Sequence, residues 1–361
     1  MNEVIRLRAL RKKMAAQSIE AILVTHLPDV RYLCGFTGSN AALAITSAKA
    51  VMYTDGRYTA QAKEEVGSAK VVIAEKSALK EACAWIESQA VSAAFDPDHT
   101  SISQLEQMRG ALTGKKRRGF FKPLDGLSVA DLRMVKDEDE LKRMAKAADL
   151  GNRIFLATLP HIQSGVPETE VAAGLEYFAR SMDAEGMSFD TIVASGERSA
   201  LPHGRATGRK LPRKGFVTLD FGVILKGYCS DMTRTVHLGR PSAEERHAYD
   251  AVLEAQEAAV AAVKPGATCG QVDEAARSVL NKAGLGRFFT HSTGHGVGLE
   301  IHENPRIAAG QELELKPGMV ITIEPGVYLP GKFGIRIEDM VVVTDRGGKV
   351  LTPVTKAWME L

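Results

Sequence analysis

Along the first hundred residues the apolar positions switch repeatedly between two periods. Val4, Leu7, Leu10 and Met14 recur at helical spacing. An apolar run at 21–25 follows, and then AALAITSAKAVMYT, which predicts two short strands around a turn near Ser47. Helical stretches at 58–66 and 78–89 flank an apolar strand at 71–74. This order predicts a compact α/β domain. Between 110 and 126 the periodicity breaks on several glycines, Pro123 and a basic cluster of Lys115, Lys116, Arg117 and Arg118. A first domain over 1–126 and a second over 127–361 are expected. The four clustered charges in a glycine-flanked loop are read as a solvated turn.

The second domain opens on an amphipathic helix. Its acidic start, DEDE, suits the positive end of a helix dipole, and Leu141, Met144, Ala148 and Phe155 form its apolar face. A second acid-started helix begins near Ser242 and runs through Glu244, Glu245, Leu253 and Val260. Each is followed by a Gly turn and another helix, in SGVPETEVAAGLEYFAR and PGATCGQVDEAARSVL. Each half then reaches a Gly-led strand ending in a carboxylate, GFVTLDFG at 215–222 and GMVITIEPG at 318–326. The pattern predicts an internally duplicated α+β domain.

The strand-end carboxylates come in pairs. With Lys226-Gly227 as the turn and the hairpin centred between Leu225 and Lys226, Asp220 and Asp231 would face each other. Glu324 and Glu338 each stand seven positions from Gly331, so they would oppose each other too. Directly opposed residues hold their Cβ atoms about 4.5–5.5 Å apart, and like charges there destabilise a sheet unless a cation sits between them. His295, in the glycine-rich run STGHGVGLEIHE, adds an imidazole where the backbone can approach closely. The four carboxylates would balance two divalent ions. Oxygen-rich ligation with one histidine favours Mn²⁺, with Co²⁺, Fe²⁺ or Zn²⁺ as alternatives. Two such ions lower the pKa of a bridging water and make hydroxide at neutral pH, which is the chemistry of hydrolysis.

Composition narrows the setting. With 361 residues the chain exceeds the size at which one core stops growing, so two domains are expected. A formal net charge of +2 argues against nucleic acid or an anionic membrane as the main partner. No apolar run approaches a bilayer-spanning length, and the amino terminus shows no secretory signal. Cys34, Cys83, Cys229 and Cys269 are scattered, without paired zinc-site spacing, as expected of free thiols in a reducing cytoplasm.

Three further histidines stand near the acids: His203 in ALPHGRAT, His291 in FFTHSTGHG and His302 in LEIHENP. Imidazoles can stabilise an oxyanion or protonate a leaving amine near neutral pH. Arg336 shares a strand face with Glu338 by period-two spacing, so it either orients that residue or meets a substrate carboxylate. There is no G-x-S-x-G elbow, H-E-x-x-H helix or phosphate-binding P-loop.

LDFG, SDMTRT, HSTGHGVGLEIHE, TIEPGVY and GIRIEDM, in this order and spacing, resemble the dinuclear metallopeptidases of the pita-bread fold, in particular aminopeptidase P and prolidase. VRYLCGFTGSN and YTDGRYTAQA resemble the amino-terminal domain of the same enzymes, a three-layer, ribonuclease-H-like domain of the creatinase/prolidase type. The resemblance implies that Asp220, Asp231, His295, Glu324 and Glu338 bind two metal ions and that Glu324 also moves a proton. It implies that His203 and His302 contact the substrate carbonyl, that His291 lines the pocket, and that Tyr328 and Arg336 support the substrate site. It further implies removal of an amino-terminal residue preceding proline from short peptides, by a homodimer. A metal-free, creatinase-like hydrolase or a non-catalytic peptide-binding protein on the same fold would be expected to lose ligands. All five positions here keep ligating side chains.

Overall fold

The structure, a computed structural model, describes residues 2–113 and 117–361, without the side chains of Arg117 and Arg118. Lys115 and Lys116, half of the basic cluster, lie outside the described residues. The chain divides into two units, Met1–Arg133 and Met134–Leu361.

The first unit is built on a six-stranded mixed sheet in the order Lys70–Ile73, Ala50–Thr54, Ala42–Thr46, Ala21–Val24, Ala93–Phe95, Phe121–Pro123. The expected turn near Ser47 is closed by Thr46, whose Oγ1 accepts from the Lys49 amide at 3.0 Å. The helix Ala78–Gln89 covers one face, burying Ala82, Cys83 and Ile86 against Ala42, Ala44, Val51 and Phe95. The alternate residues Ile22, Leu43, Ile45 and Met52 are buried as well. Strands covered on both faces read as continuous apolar runs, which is why they were legible in the sequence. The stretch expected to be an irregular linker holds the strand Phe121–Pro123, parallel to Ala93–Phe95. Three residues ending in proline are too short to carry a period. The unit continues through Val129–Arg133, where Arg133 and Asp29 form a buried ion pair at 2.8 Å and Tyr32 Oη donates to the Leu132 carbonyl.

The second unit shows the same construction twice. Its lead helices, Glu138–Thr158 and Ala243–Ala262, both start on a capping box, Asp137 with Glu140 and Ser242 with Glu245. The following helices are Glu168–Ser181 and Cys269–Lys282. In the first half, Ile154, Phe155, Val171 and Leu175 pack on Val217, Leu219 and Val236. In the second, Val252, Ala255, Val272 and Ala276 pack on Ile321, Ile323, Val341 and Val343. Each valine, leucine, isoleucine or phenylalanine among them contributes about 1.5–3 kcal/mol by leaving water. Among the described residues, no helix is long and apolar enough to cross a membrane.

The hairpin registers differ in one respect from the sequence expectation. Lys226 and Gly227 both take positive φ, 51° and 78°, and Leu225 pairs with Tyr228. The turn is therefore centred one residue later than expected. Asp220 then lies opposite Thr233, and Asp231 stands two residues from that partner, on the same side of the sheet but diagonal to Asp220. The expected direct opposition of Asp220 and Asp231 is corrected. In the second hairpin, Ile323 pairs with Asp339 and Gly326 with Arg336, a register that sets Glu324 across from Glu338 as expected.

A buried guanidinium joins the two hairpins. Arg234 donates to the Thr233 and Glu338 carbonyls, to the Thr352 and Val354 carbonyls at 2.8 and 2.9 Å, and to Asp339 at 2.8 Å. Asp339 also accepts from Gln256, Thr352 and Lys356. Breaking such a pair strands a buried charge. Arg234→Ala should therefore destabilise the larger unit by about 3–5 kcal/mol in denaturant unfolding, and a loss under about 1 kcal/mol would contradict this account.

Candidate metal centre

The five expected ligands stand at strand ends or beside glycines. Asp220 is the penultimate residue of Gly215–Phe221, and Asp231 immediately precedes Met232–Leu238. Glu324 follows Val320–Ile323, and Glu338 precedes Asp339–Thr344. His295 is the middle residue of Gly294–Gly296. A Cβ at Gly294 would fall 1.9 Å from the Thr322 carbonyl oxygen and one at Gly296 would fall 2.2 Å from that of Asn304. No other residue type lets this strand enter the sheet.

One donor atom each from Asp231, His295 and Glu338 lie within 4.8 Å of one another. His295 Nε2 is 3.6 Å from Asp231 Oδ2 and 3.5 Å from Glu324 Oε1. The His295 Nδ1 sits 2.9 Å from the Gly296 carbonyl oxygen, to which it must donate, so the Nε2 lone pair faces the carboxylates. Asp220 meets the cluster beside Arg336, whose Nη2 donates to its Oδ2, while its buried Oδ1 has no hydrogen-bond partner.

Burial raises the carboxyls of Asp231 and Glu338 well above the ordinary range, and their acidic neighbours raise them further. Glu324 is pushed up to about 8, mainly by burial. His295 is pushed down to about 4 by burial and is neutral at pH 7. Acids this close cannot all ionise without cations. The unpartnered Asp220 oxygen, the deprotonated His295 Nε2 and the oxygen-rich donor set all fit divalent metal ions.

Around the acids runs a connected set of polar groups. Thr233 Oγ1 donates to Glu338 Oε2 at 2.7 Å and accepts from Arg336 Nε at 3.1 Å. Arg336 Nη1 donates to Tyr328 Oη at 2.7 Å and to the Pro202 carbonyl at 3.1 Å. His291 Nδ1 donates to the Ser292 carbonyl, so its Nε2 accepts from Tyr328 Oη at 3.0 Å. Burial holds His291 near a pKa of about 4. Arg336 is buried and spends its donors on protein groups, which favours the orienting role over capture of a substrate carboxylate. His302 is exposed with its ring 4.4 Å from that of His295. His203 is exposed, close enough to His291 for its charge to act there.

Sequence reasoning passed over several supporting residues. Thr233 shares a strand face with Asp231 in SDMTRT, a signal that period-two spacing could have given. Asp273 and Arg277 look like an ordinary i,i+4 helix pair. In the fold Asp273 Oδ1 accepts from the Thr293 amide and hydroxyl, and Arg277 donates to the Phe289 and His291 carbonyls. They fix the loop that leads into His295.

The family model "Metallopeptidase family M24" matches residues 142–345, and "Creatinase/Prolidase N-terminal domain" matches residues 6–135. An Xaa-Pro dipeptidase of Pyrococcus furiosus is 38% identical over 348 residues, which cover 96% of this chain and 97% of that protein. Among solved structures, the Xaa-Pro dipeptidase from Bacillus anthracis matches with a TM-score of 0.93 at 38% identity, covering 100% of this chain and 99% of that one. The X-Pro aminopeptidase from Thermotoga maritima matches with a TM-score of 0.88, also at 38% identity, over 95% and 98% of the two chains.

The raised carboxyl pKa values set a pH dependence for the metal-stripped protein. A carboxyl whose folded pKa lies above its unfolded one binds more protons when folded, so stability falls as pH rises between the two values. For Glu324 that window runs from the ordinary carboxyl range up to about 8. The depressed His291 and His295 act with the opposite sign in the lower part of this window: their contribution is present above the ordinary histidine range and is lost as pH falls toward about 4. Between pH 6.5 and 8 the stripped chain should lose thermal stability relative to the Mn²⁺-loaded chain. A Tm gap that stays constant or shrinks over this range, by calorimetry, would contradict the electrostatic account.

Proposed function

The chain belongs to metallopeptidase family M24, with a creatinase/prolidase amino-terminal domain, and we propose that it hydrolyses the peptide bond between an amino-terminal residue and proline using two divalent ions held by Asp220, Asp231, His295, Glu324 and Glu338. The observation that carries this reading is the convergence of buried carboxylates on the lone pair of a neutral imidazole. When bound, the ions supply Lewis-acid activation of water and of the scissile carbonyl.

The chain's own groups do the rest. Glu324 Oε1 faces the centre, 3.5 Å from His295 Nε2, and its carboxylate takes a proton there. His203 and His302 stand exposed beside the buried cluster, where their imidazoles reach a substrate carbonyl and stabilise charge that develops on its oxygen. The run Arg336, Tyr328, His291 carries hydrogen bonds in one direction, which fixes the tautomer of His291 and holds the pocket wall. Arg336 also holds Asp220 by donating to its Oδ2, which leaves the buried Oδ1 to the centre.

The oxygen-rich donor set supports Mn²⁺ as the working metal. The proline preference and the short-peptide substrate rest on the named relatives. Resemblance to aminopeptidase P and prolidase supports a homodimer, and the four buried free thiols support the cytoplasm.

Elemental analysis of Mn²⁺-loaded protein should give close to two ions per chain. An Ala-Pro dipeptide or an Ala-Pro-Ala tripeptide should be cleaved roughly 10²-fold faster than its Ala-Ala counterpart. Full activity without metal, or equal rates on both peptides of a pair, would refute the assignment. His203→Ala should lower kcat roughly 10²–10³-fold at unchanged metal content, and loss of both ions would move His203 from substrate to metal.

A further inference from the structure

Glu168 is the first residue of the helix Glu168–Ser181, far in sequence from every proposed ligand, yet it is completely buried. Its carboxylate is saturated with donors. Oε1 accepts from the Ser195 amide and hydroxyl, both at 2.9 Å, and Oε2 accepts from the Thr207 amide at 3.1 Å and hydroxyl at 2.8 Å. Arg198 Nε donates to both oxygens, at 3.4 and 3.2 Å, and Arg198 Nη2 donates on to the Arg205 carbonyl at 2.6 Å.

These partners are not scattered. Ser195 and Arg198 lie at the entrance of the segment 195–207, and Arg205 and Thr207 lie at its exit. Between them stands His203. The tip beside it is held separately, by Arg336 donating to the Pro202 carbonyl. Within the segment, Leu201 donates to the Arg198 carbonyl and Gly204 to that of Leu201, so the turn has little slack once its ends are closed. A buried carboxylate is costly to desolvate unless its lone pairs are met, and here five donor groups meet them. Nothing in the helix itself requires that arrangement.

The second half has a counterpart. Asp273, equally buried on its helix, closes the loop of His291 and His295 through Thr293 and Arg277. In each copy of the duplicated architecture, a helix thus sends one buried acid to a histidine-bearing loop.

We propose that Glu168 is a positioning residue for His203, closing the 195–207 segment so that the imidazole is held at the substrate carbonyl. This rests on the proposed role of His203 in the peptidase reaction. Glu168 touches neither the metal ligands nor substrate. Its effect on the rate passes through the loop.

The test is a double-mutant cycle on the Mn²⁺-loaded full chain with an Ala-Pro dipeptide, following kcat, KM and metal content. Glu168→Gln turns an amide toward donors on one side and should lower kcat roughly 10–100-fold, with KM changed less than about threefold and two ions retained. In a His203→Ala background the same substitution should cost less than about threefold, because the group it positions is gone. Costs that multiply fully in the double variant, or a loss of metal in Glu168→Gln, would overturn the proposal. So would a neutral His203→Ala, which would separately refute the role assigned to His203. If Glu168→Gln fails to fold, Thr207→Val removes one hydroxyl donor from the same carboxylate. It should show the same non-additivity with His203→Ala at smaller amplitude, and additive losses would again overturn the assignment.

Discussion

Four carboxylates share one largely buried space in this protein, and the larger unit is arranged around making that tolerable. Arg336 supplies one positive charge to the cluster, directly to Asp220 and through the Thr233 hydroxyl to Glu338. That leaves Asp231 and Glu324 facing neutral His295. Protons can fill the gap, as the upward displacement of Asp231, Glu324 and Glu338 records. Divalent cations fill it better because each can be shared by several oxygens at once. The same electrostatic deficit that weakens the empty site is what gives it affinity.

Duplication is the means by which the fold brings the acids together. Each half contributes a helix pair, a core and a hairpin whose strands end in carboxylates, and Arg234 with Asp339 locks the hairpins side by side. Strand termini suit this purpose. There the backbone leaves the ladder, so a side chain can turn inward while the residues before it remain paired. Asp231, Glu324 and Glu338 all lie one residue beyond a strand.

Much of this was legible in the sequence because it depends on local period. The sheet of the first unit, the lead helices with their acidic starts and the two Gly-led strands follow from apolar spacing within ten or twenty residues. The ligand types followed from pairing logic, and the recognisable motifs placed all five in one family pattern. What remained hidden was contact between distant segments. Arg234 reaches carbonyls more than a hundred residues away, and Glu168 answers to Ser195 and Thr207. A period contains no such information. The strand Phe121–Pro123 was missed for the opposite reason, since three residues are too few to show a period at all.

The first hairpin shows why an error in register left Asp220 and Asp231 on the same side of the sheet. The turn falls at Lys226-Gly227, where two successive positive φ angles match the twist of the strands, and this moves the partner of Asp220 from Asp231 to Thr233. A shift of the centre by one residue moves the partner by two, and side chains two apart point the same way. Asp231 therefore stays on the face of Asp220. The position directly opposite goes to a hydroxyl that donates to Glu338 and accepts from Arg336, which separates two like charges that would otherwise have met head on. What the proposed metal centre requires of this hairpin is the parity of the spacing more than its exact register. An odd displacement would have sent Asp231 to the far face and left Asp220, Glu324 and Glu338 without their fourth carboxylate.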